Sequence, residues 1–343
     1  MQSGSALHHT VQRGNPMRST SRIFFCLALA TLLFTSIADA QFTYTLTELS
    51  LGGTWGTAVD LNDAGRVTGR SQNALGDVQA FVYDPLTGIR ELSLGGTWSA
   101  PTAISETGQV VGFSQNSEGG QSAFVYGHIE YLGFPNSYAP WRITGLRGYN
   151  QKGQVIAHAH SIIVGAFTKA LLYDPTRGIQ ELTLGGSLSD PNDINESGQV
   201  VGYSENAAGE SQAFVYDPIQ GIQELSLGGD HGGASKITQS GYVIGYSATG
   251  MGEGHAFLYH PSIGILKLSL GGAYGSAQDV NEAGQVVGVS ENGAGEEHAF
   301  FYDPILGIRE MWLTGTLLWT LRITESGYAI GLPILGEGER HPF

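Results

Sequence analysis

The groups best able to do chemistry in this 343-residue chain are its ten histidines and 31 acidic residues, and their spacing limits what they can do. His255, His298 and His341 each precede a small residue and a Phe, at intervals of 43 residues. As metal ligands or acid–base groups they would have to converge from separate copies of a repeat. The same slot holds Gln79, Ser122, Lys169 and Gln212 elsewhere, so the simpler reading is a polar residue beside a packed Phe. His158 and His160 lie one strand period apart and share a face, but zinc needs a third protein ligand. Asp60-Leu61-Asn62-Asp63-Ala64-Gly65, with copies at Asp193 and Asp279, has the oxygen spacing that opens a calcium loop. Its fifth position is Ala64, Ser197 or Ala283, its twelfth is Ser71, Ser204 or Ser290, and Ala103 or Lys236 opens two further copies. Those gaps favour an Asx-type turn, and we assign no metal site.

Two other recurrent sets bear on recognition. The second residue after each Leu-Gly-Gly is Trp55, Trp98, Leu188, His231 or Tyr274, with Leu317 in the degenerate last copy. Aromatic faces at one repeat position could stack on sugars; the alternative is packing between repeats. We take Trp55, Trp98, Tyr274 and His231 as the candidate ligand-binding residues, on an expected loop face. Glu91, Glu181, Glu224 and Glu310 also share one repeat position, so they spread out and do not form the close carboxylate pair of a glycosidase. No Gly-x-Ser-x-Gly elbow, phosphate loop or His-Glu-x-x-His occurs, so we assign no catalytic residue and no cofactor.

These residues need elements to hold them, and the composition says which kind. Gly is frequent at 51 residues, charged residues are only 14%, and Val, Ile, Phe and Tyr recur between the glycines. Short strands and tight turns follow. The net charge is −15. Beyond residue 40, 13 basic residues face 30 acidic ones, a balance of −17 that repels nucleic acid and anionic lipid. Cys26 is the only cysteine, so the chain beyond it has neither disulfide nor thiolate chemistry. Arg18 and Arg22, the apolar run 23–37 and Ala38-Asp39-Ala40 make a secretory signal, with cleavage expected after Ala40. The run is short for a membrane span, and no second one follows. The expected product is a secreted or periplasmic monomer covering residues 41–343, with no membrane span.

An internal period organises this product. A small residue followed by Phe or Leu recurs at Ala80, Ala123, Ala170, Ala213, Ala256, Ala299 and Pro342, spaced by 43 residues except for one interval of 47. Leu-Gly-Gly recurs from Leu51, Leu94, Leu184, Leu227 and Leu270, with degenerate copies at Leu132 and Leu313. Within 184–226 we expect a Leu-Gly-Gly turn, a short strand at 192–195, strands at 199–204 and 211–216, an Asp217-Pro218 hairpin turn, and a fourth strand at 222–225. Four short antiparallel strands per unit is the size of a propeller blade. The fold expectation is all-β: a seven-bladed β-propeller of four-stranded antiparallel blades. The seventh unit stops before its last strand. Leu46–Leu51 matches Ile89–Leu94 at the 43-residue offset, so the N-terminal strand would close the ring.

The chain resembles the bacterial extracellular HAF repeat family. His255-Ala256-Phe257 and His298-Ala299-Phe300 carry its triplet, and 193–202 and 279–288 look like its second signature block. The likeness covers residues 46–343; the third unit departs from it, with four extra residues, no Leu-Gly-Gly, and Ala170-Leu171 in place of the triplet. The resemblance implies export and repeat architecture, with no activity or catalytic residues. The leading expectation is a secreted non-enzymatic repeat protein whose surface binds an extracellular glycan or a surface protein. The alternative is a propeller-type extracellular hydrolase or lyase acting on polysaccharide, with its site at the channel mouth; only the third unit, around Trp141–His160, breaks the repeat symmetry strongly, as such a site would. A structural cell-surface component without a small ligand is the third class.

Overall fold

The computed structural model describes residues 47–117, 119–126, 130–131, 141–161, 167–311, 316–335 and 339–340. Their regular elements are 27 β-strands in chain order, with no helix. The chain divides into units 1–50 and 51–343. Of the first unit only 47–50 are described, and they form no strand. The signal segment, its cleavage site, residues 42–46, His341 and the final Pro342-Phe343 lie outside the described residues.

The second unit repeats one antiparallel meander. In the fourth repeat its strands are Gly185–Ile194, Val200–Asn206, Ser211–Asp217 and Gly221–Leu225, paired in chain order. The turn between the first two is closed by Asn195, and the third and fourth are joined at Asp217-Pro218. Both turns stand where the sequence put them.

The first strand differs from the expectation. Leu-Gly-Gly is not a turn: it opens a ten-residue strand that the sequence reading had shortened to 192–195. The two glycines explain why the ladder can run through. Gly185 sits at φ +104, a left-handed conformation that L side chains avoid. A Cβ on Gly186 would lie 2.7 Å from the Glu205 carbonyl oxygen and 2.8 Å from that of Asn206. The pair therefore lets the first strand bulge tightly against the second. Ser204 Oγ on the second strand accepts the Leu184 N–H and fixes the corner.

A second glycine explains the Phe of the triplet. Gly202 pairs across the ladder with Phe214, and a Cβ there would lie 3.0 Å from the ring and 2.1 Å from the Asp190 carbonyl oxygen. The Phe ring lies where no side chain can be. The third repeat makes the matching change: Ala157 faces Leu171, so the extra methyl is met by a smaller, non-planar partner.

The apolar core lies between repeats. Val201, Val215 and Leu225 of the fourth repeat pack with Ile237, Val243 and Phe257 of the fifth. Equivalent clusters join every consecutive pair from the first repeat to the seventh. Neighbouring sheets are also stitched by parallel bridges, Val78 to Trp98, Ser211 to His231 and Gly254 to Tyr274. Among the described residues the sheets remain four, of 8, 4, 12 and 3 strands, and do not join end to end.

Candidate functional site

The Asp-x-Asn turns are fully engaged in structure. Asn195 Oδ1 accepts the Ser197 and Gln199 N–H groups, and its Nδ2 donates to the Thr238 carbonyl of the next repeat at 3.0 Å. Asn62, Asn150 and Asn281 repeat this bond to Ser105, Asn195 and Thr324. Asp60, Asp193 and Asp279 each accept an N–H from the next repeat's first strand, at Ile104, Ile237 and Ile323. Burial raises the Asp193 pKa, and the Ile237 and Ile194 N–H groups work against that rise. Lys236, which breaks the calcium pattern, pairs with Asp279. The oxygens with calcium-like spacing thus hold neighbouring repeats together.

The triplet histidines likewise belong to hairpins. His298 Nδ1 lies 3.2 Å from Glu310 on the adjoining strand, and Lys169 in the same slot is 2.6 Å from Glu181. His255 is fully buried, with Glu253 and Lys267 each 3.1 Å from Nε2. In the same slot Gln79 and Gln212 donate to Gly96 and Gly229 of the following repeat. The expectation of a polar residue beside the packed Phe holds, and Glu181 and Glu310 are the partners of these side chains.

The expected aromatic set does not sit on a loop face, because its positions are in the first strands. Trp55, His231 and Tyr274 are exposed there and Trp98 is half-buried. The His231 ring lies 6.3 Å from that of Tyr246, a second-strand residue the sequence reading did not single out. A methyl on Gly233 would stand 3.4 Å from Tyr246 and 3.7 Å from Tyr203, so these three side chains form one row over the fourth and fifth repeats.

The row continues into the divergent third repeat. Asp190, almost fully buried, faces Tyr203 across the ladder. Arg147 grips it with two bonds, Nη2 to Oδ2 at 2.7 Å and Nε to Oδ1 at 3.2 Å. His158 Nδ1 stands 3.6 Å from Asp190 Oδ1, too far for a hydrogen bond but close for a charge. Burial pushes the Asp190 pKa up, yet His158 and Arg147 outweigh it and hold the carboxyl below its ordinary value. Burial, then the nearby Asp190 charge, raise the Tyr203 hydroxyl, which stays a proton donor. The His158 ring fills the space over Gly145, where a Cβ would lie 2.3 Å from it, and meets His160 edge-on at 5.1 Å. The two histidines share a face as expected. Among the described residues no three His, Cys, Asp or Glu side chains gather as a metal site. Beside Arg147 a cavity of about 300 Å³ opens between the first strands of the first three repeats, walled by Ala103, Val111 and Leu146 and edged by Asp60 and Tyr149. That is the low end of the size of small-molecule sites.

No family model matches the chain, and no curated protein does. Among solved structures, the β-propeller domain of the trilobed protease from Pyrococcus furiosus is 12% identical, with a TM-score of 0.37 over 75% of this chain and 83% of that one. Porphyromonas gingivalis dipeptidyl peptidase 4 is 11% identical, with a TM-score of 0.47 over 79% of this chain and 48% of the peptidase. TolB from Acinetobacter baumannii is 13% identical, with a TM-score of 0.34 over 69% of this chain and 61% of that one. The chain spans about half the length of the peptidase it matches.

Proposed function

We propose that this chain is an exported, non-enzymatic repeat protein of the HAF type, whose first- and second-strand face binds a glycan. The observation that carries the reading is the row Arg147, His158, Tyr203, Tyr246 and His231, running over three consecutive repeats beside a cavity. Aromatic faces stack on the C–H faces of sugar rings, and a guanidinium clamped to a carboxylate offers fixed donors and acceptors to hydroxyls. Trp55, Trp98 and Tyr274 occupy the slot of His231 and extend the same surface. The acidic balance favours a neutral glycan over a polyanion.

The architecture that goes with this function is a seven-bladed propeller closed by the N-terminal strand. Its support is what the terminal repeats leave uncovered. Leu61 is 63% exposed, whereas its equivalents Ile194 and Val280 are 8% and 3% exposed. Ile330 of the last repeat is 52% exposed, and its equivalent Ile244 is fully buried. The two bare faces are the two halves of the junction found between all other repeats.

Glycan-array screening followed by calorimetric titration tests the binding reading. Tyr246→Ala and Arg147→Ala should each weaken the selected glycan at least tenfold. A protein that binds no glycan, or variants that bind like the parent, would sink it. The alternative of a polysaccharide hydrolase or lyase has one observation in its favour: the His158–Asp190 pair could orient an imidazole for proton transfer. A polysaccharide-degrading activity that disappears in His158→Gln would replace the binding reading.

A further inference from the structure

Exposed aliphatic knobs recur at one end of the repeats, where the third strand turns into the fourth. Each third-to-fourth-strand turn starts with Asp-Pro in four described repeats, and the next residue points into solvent. Leu86, Ile219 and Ile305 are 92%, 95% and 91% exposed there. The fold does not ask for an apolar residue at this slot, since Thr176 and Ser262 fill it in the third and fifth repeats. Ile263, one residue on, restores an exposed aliphatic side chain to the fifth.

The knobs are held before any partner arrives. Asp217 Oδ1 accepts the Ile219 and Gln220 N–H groups, while its Oδ2 accepts Gln199 Nε2, just before the second strand, at 2.9 Å. Asp303 repeats both contacts with Ile305, Leu306 and Gln285, and Asp84 bonds the Leu86 N–H and pairs with Arg66. Ordering a loop on binding costs affinity, and these turns are ordered already.

Carboxylates stand beside the knobs at the same end. Glu106, Glu196, Glu282 and Glu325 sit in the neighbouring first-to-second-strand turns, each accepting a backbone N–H of the preceding repeat. Burial raises Glu282, but the Gln239 and Ser240 N–H groups more than reverse that, so it stays ionised.

We propose that this end docks a cationic polypeptide with an apolar face. The knobs would enter its apolar stripe, and the glutamates would face its lysines or arginines. Charge selects this occupant: a chain at −15 is repelled by anionic lipid and nucleic acid. The proposal goes beyond the glycan reading and uses different residues.

The test uses a synthetic 18-residue Leu/Lys amphipathic peptide, labelled for fluorescence anisotropy, against the whole protein. The triple variant L86S/I219S/I305S should bind at least tenfold more weakly with an unchanged melting temperature, because it alters only exposed tips. E196Q/E282Q should bind severalfold more weakly and flatten the salt dependence. Tyr246→Ala should bind the peptide like the parent, which separates this surface from the glycan face. Equal binding by the triple variant overturns the proposal. So does failure of the parent to bind the peptide, whether or not it binds phosphatidylcholine vesicles.

Discussion

The six junctions between consecutive repeats and the two terminal faces are built from equivalent repeat positions and differ in what covers them. At an interior junction Ile237 is buried by Val201, Val215 and Leu225 of the preceding repeat. Leu61 holds the same place in the first repeat with nothing comparable over it. An aliphatic side chain at one and the same strand position is core in one case and surface in the other. A repeat therefore does not own its core. Stability in such an array resides in neighbour terms, and each junction adds one.

This contrast predicts a graded set of effects. The largest belongs to an interior Phe. Phe257→Ala removes a fully buried ring that bridges two repeats and should lower the unfolding free energy by about 3–5 kcal/mol. Chemical denaturation will read it, and a loss below about 1 kcal/mol would mean that the junctions are not the core.

Leu61→Ala sharpens the comparison directly. In a closed ring it should cost about 2–5 kcal/mol, matching Ile237→Ala measured alongside it. We expect this cost in the full chain. A change within about 0.5 kcal/mol is what an exposed residue gives, and it would establish an open array.

A smaller effect is expected at the turn ladder. Asn195→Ala removes the bond to Thr238 and two contacts within its own turn, and should cost about 1–3 kcal/mol. An equal loss for Asn62→Ala would show that the first junction is as tight as those further along.

The smallest effect is acid-linked. Burial raises the Asp174 carboxyl, but bonds from Thr176, Gln154 and Arg177 prevail and lower it to about 2. A depressed folded value means stability that is present above the unfolded pKa near 4 and lost as pH falls toward 2. After allowance for solvent screening this is about 1 kcal/mol. Gln154→Ala should shrink that acid-dependent part, lowering stability at neutral pH by up to about 1 kcal/mol and narrowing the gap to the acid value. An unchanged acid transition in the variant would remove Gln154 from the account.

Much of the fold was legible in particular residues. Asp217-Pro218 and Asn195 announced their turns because those side chains bond their own backbone two or more residues on. Leu-Gly-Gly misled because the sequence shows that glycine is needed but not which need it serves. Only the ladder reveals a bulge with a close approach in place of a turn. At the candidate site, His158 and His160 were visible as a pair on one strand. Asp190, Arg147, Tyr203 and Tyr246 were not, because they lie on four different strands of three repeats and meet only through the pairing and packing of those strands.

By itself the sequence determined the period, the strand class, the turn positions and the acidic surface, since each depends on local backbone preference or on counting. The tertiary structure alone decided where the apolar faces went. Alternation marks one side of a strand as apolar, but the same pattern serves burial within a repeat and burial between two. It also decided that Asp190 and Arg147, 43 residues apart, would meet in a bidentate pair, and that Ile219 would point into solvent although it is as apolar as Ile237. These outcomes depend on which surface arrives opposite, which is a property of the assembled repeats.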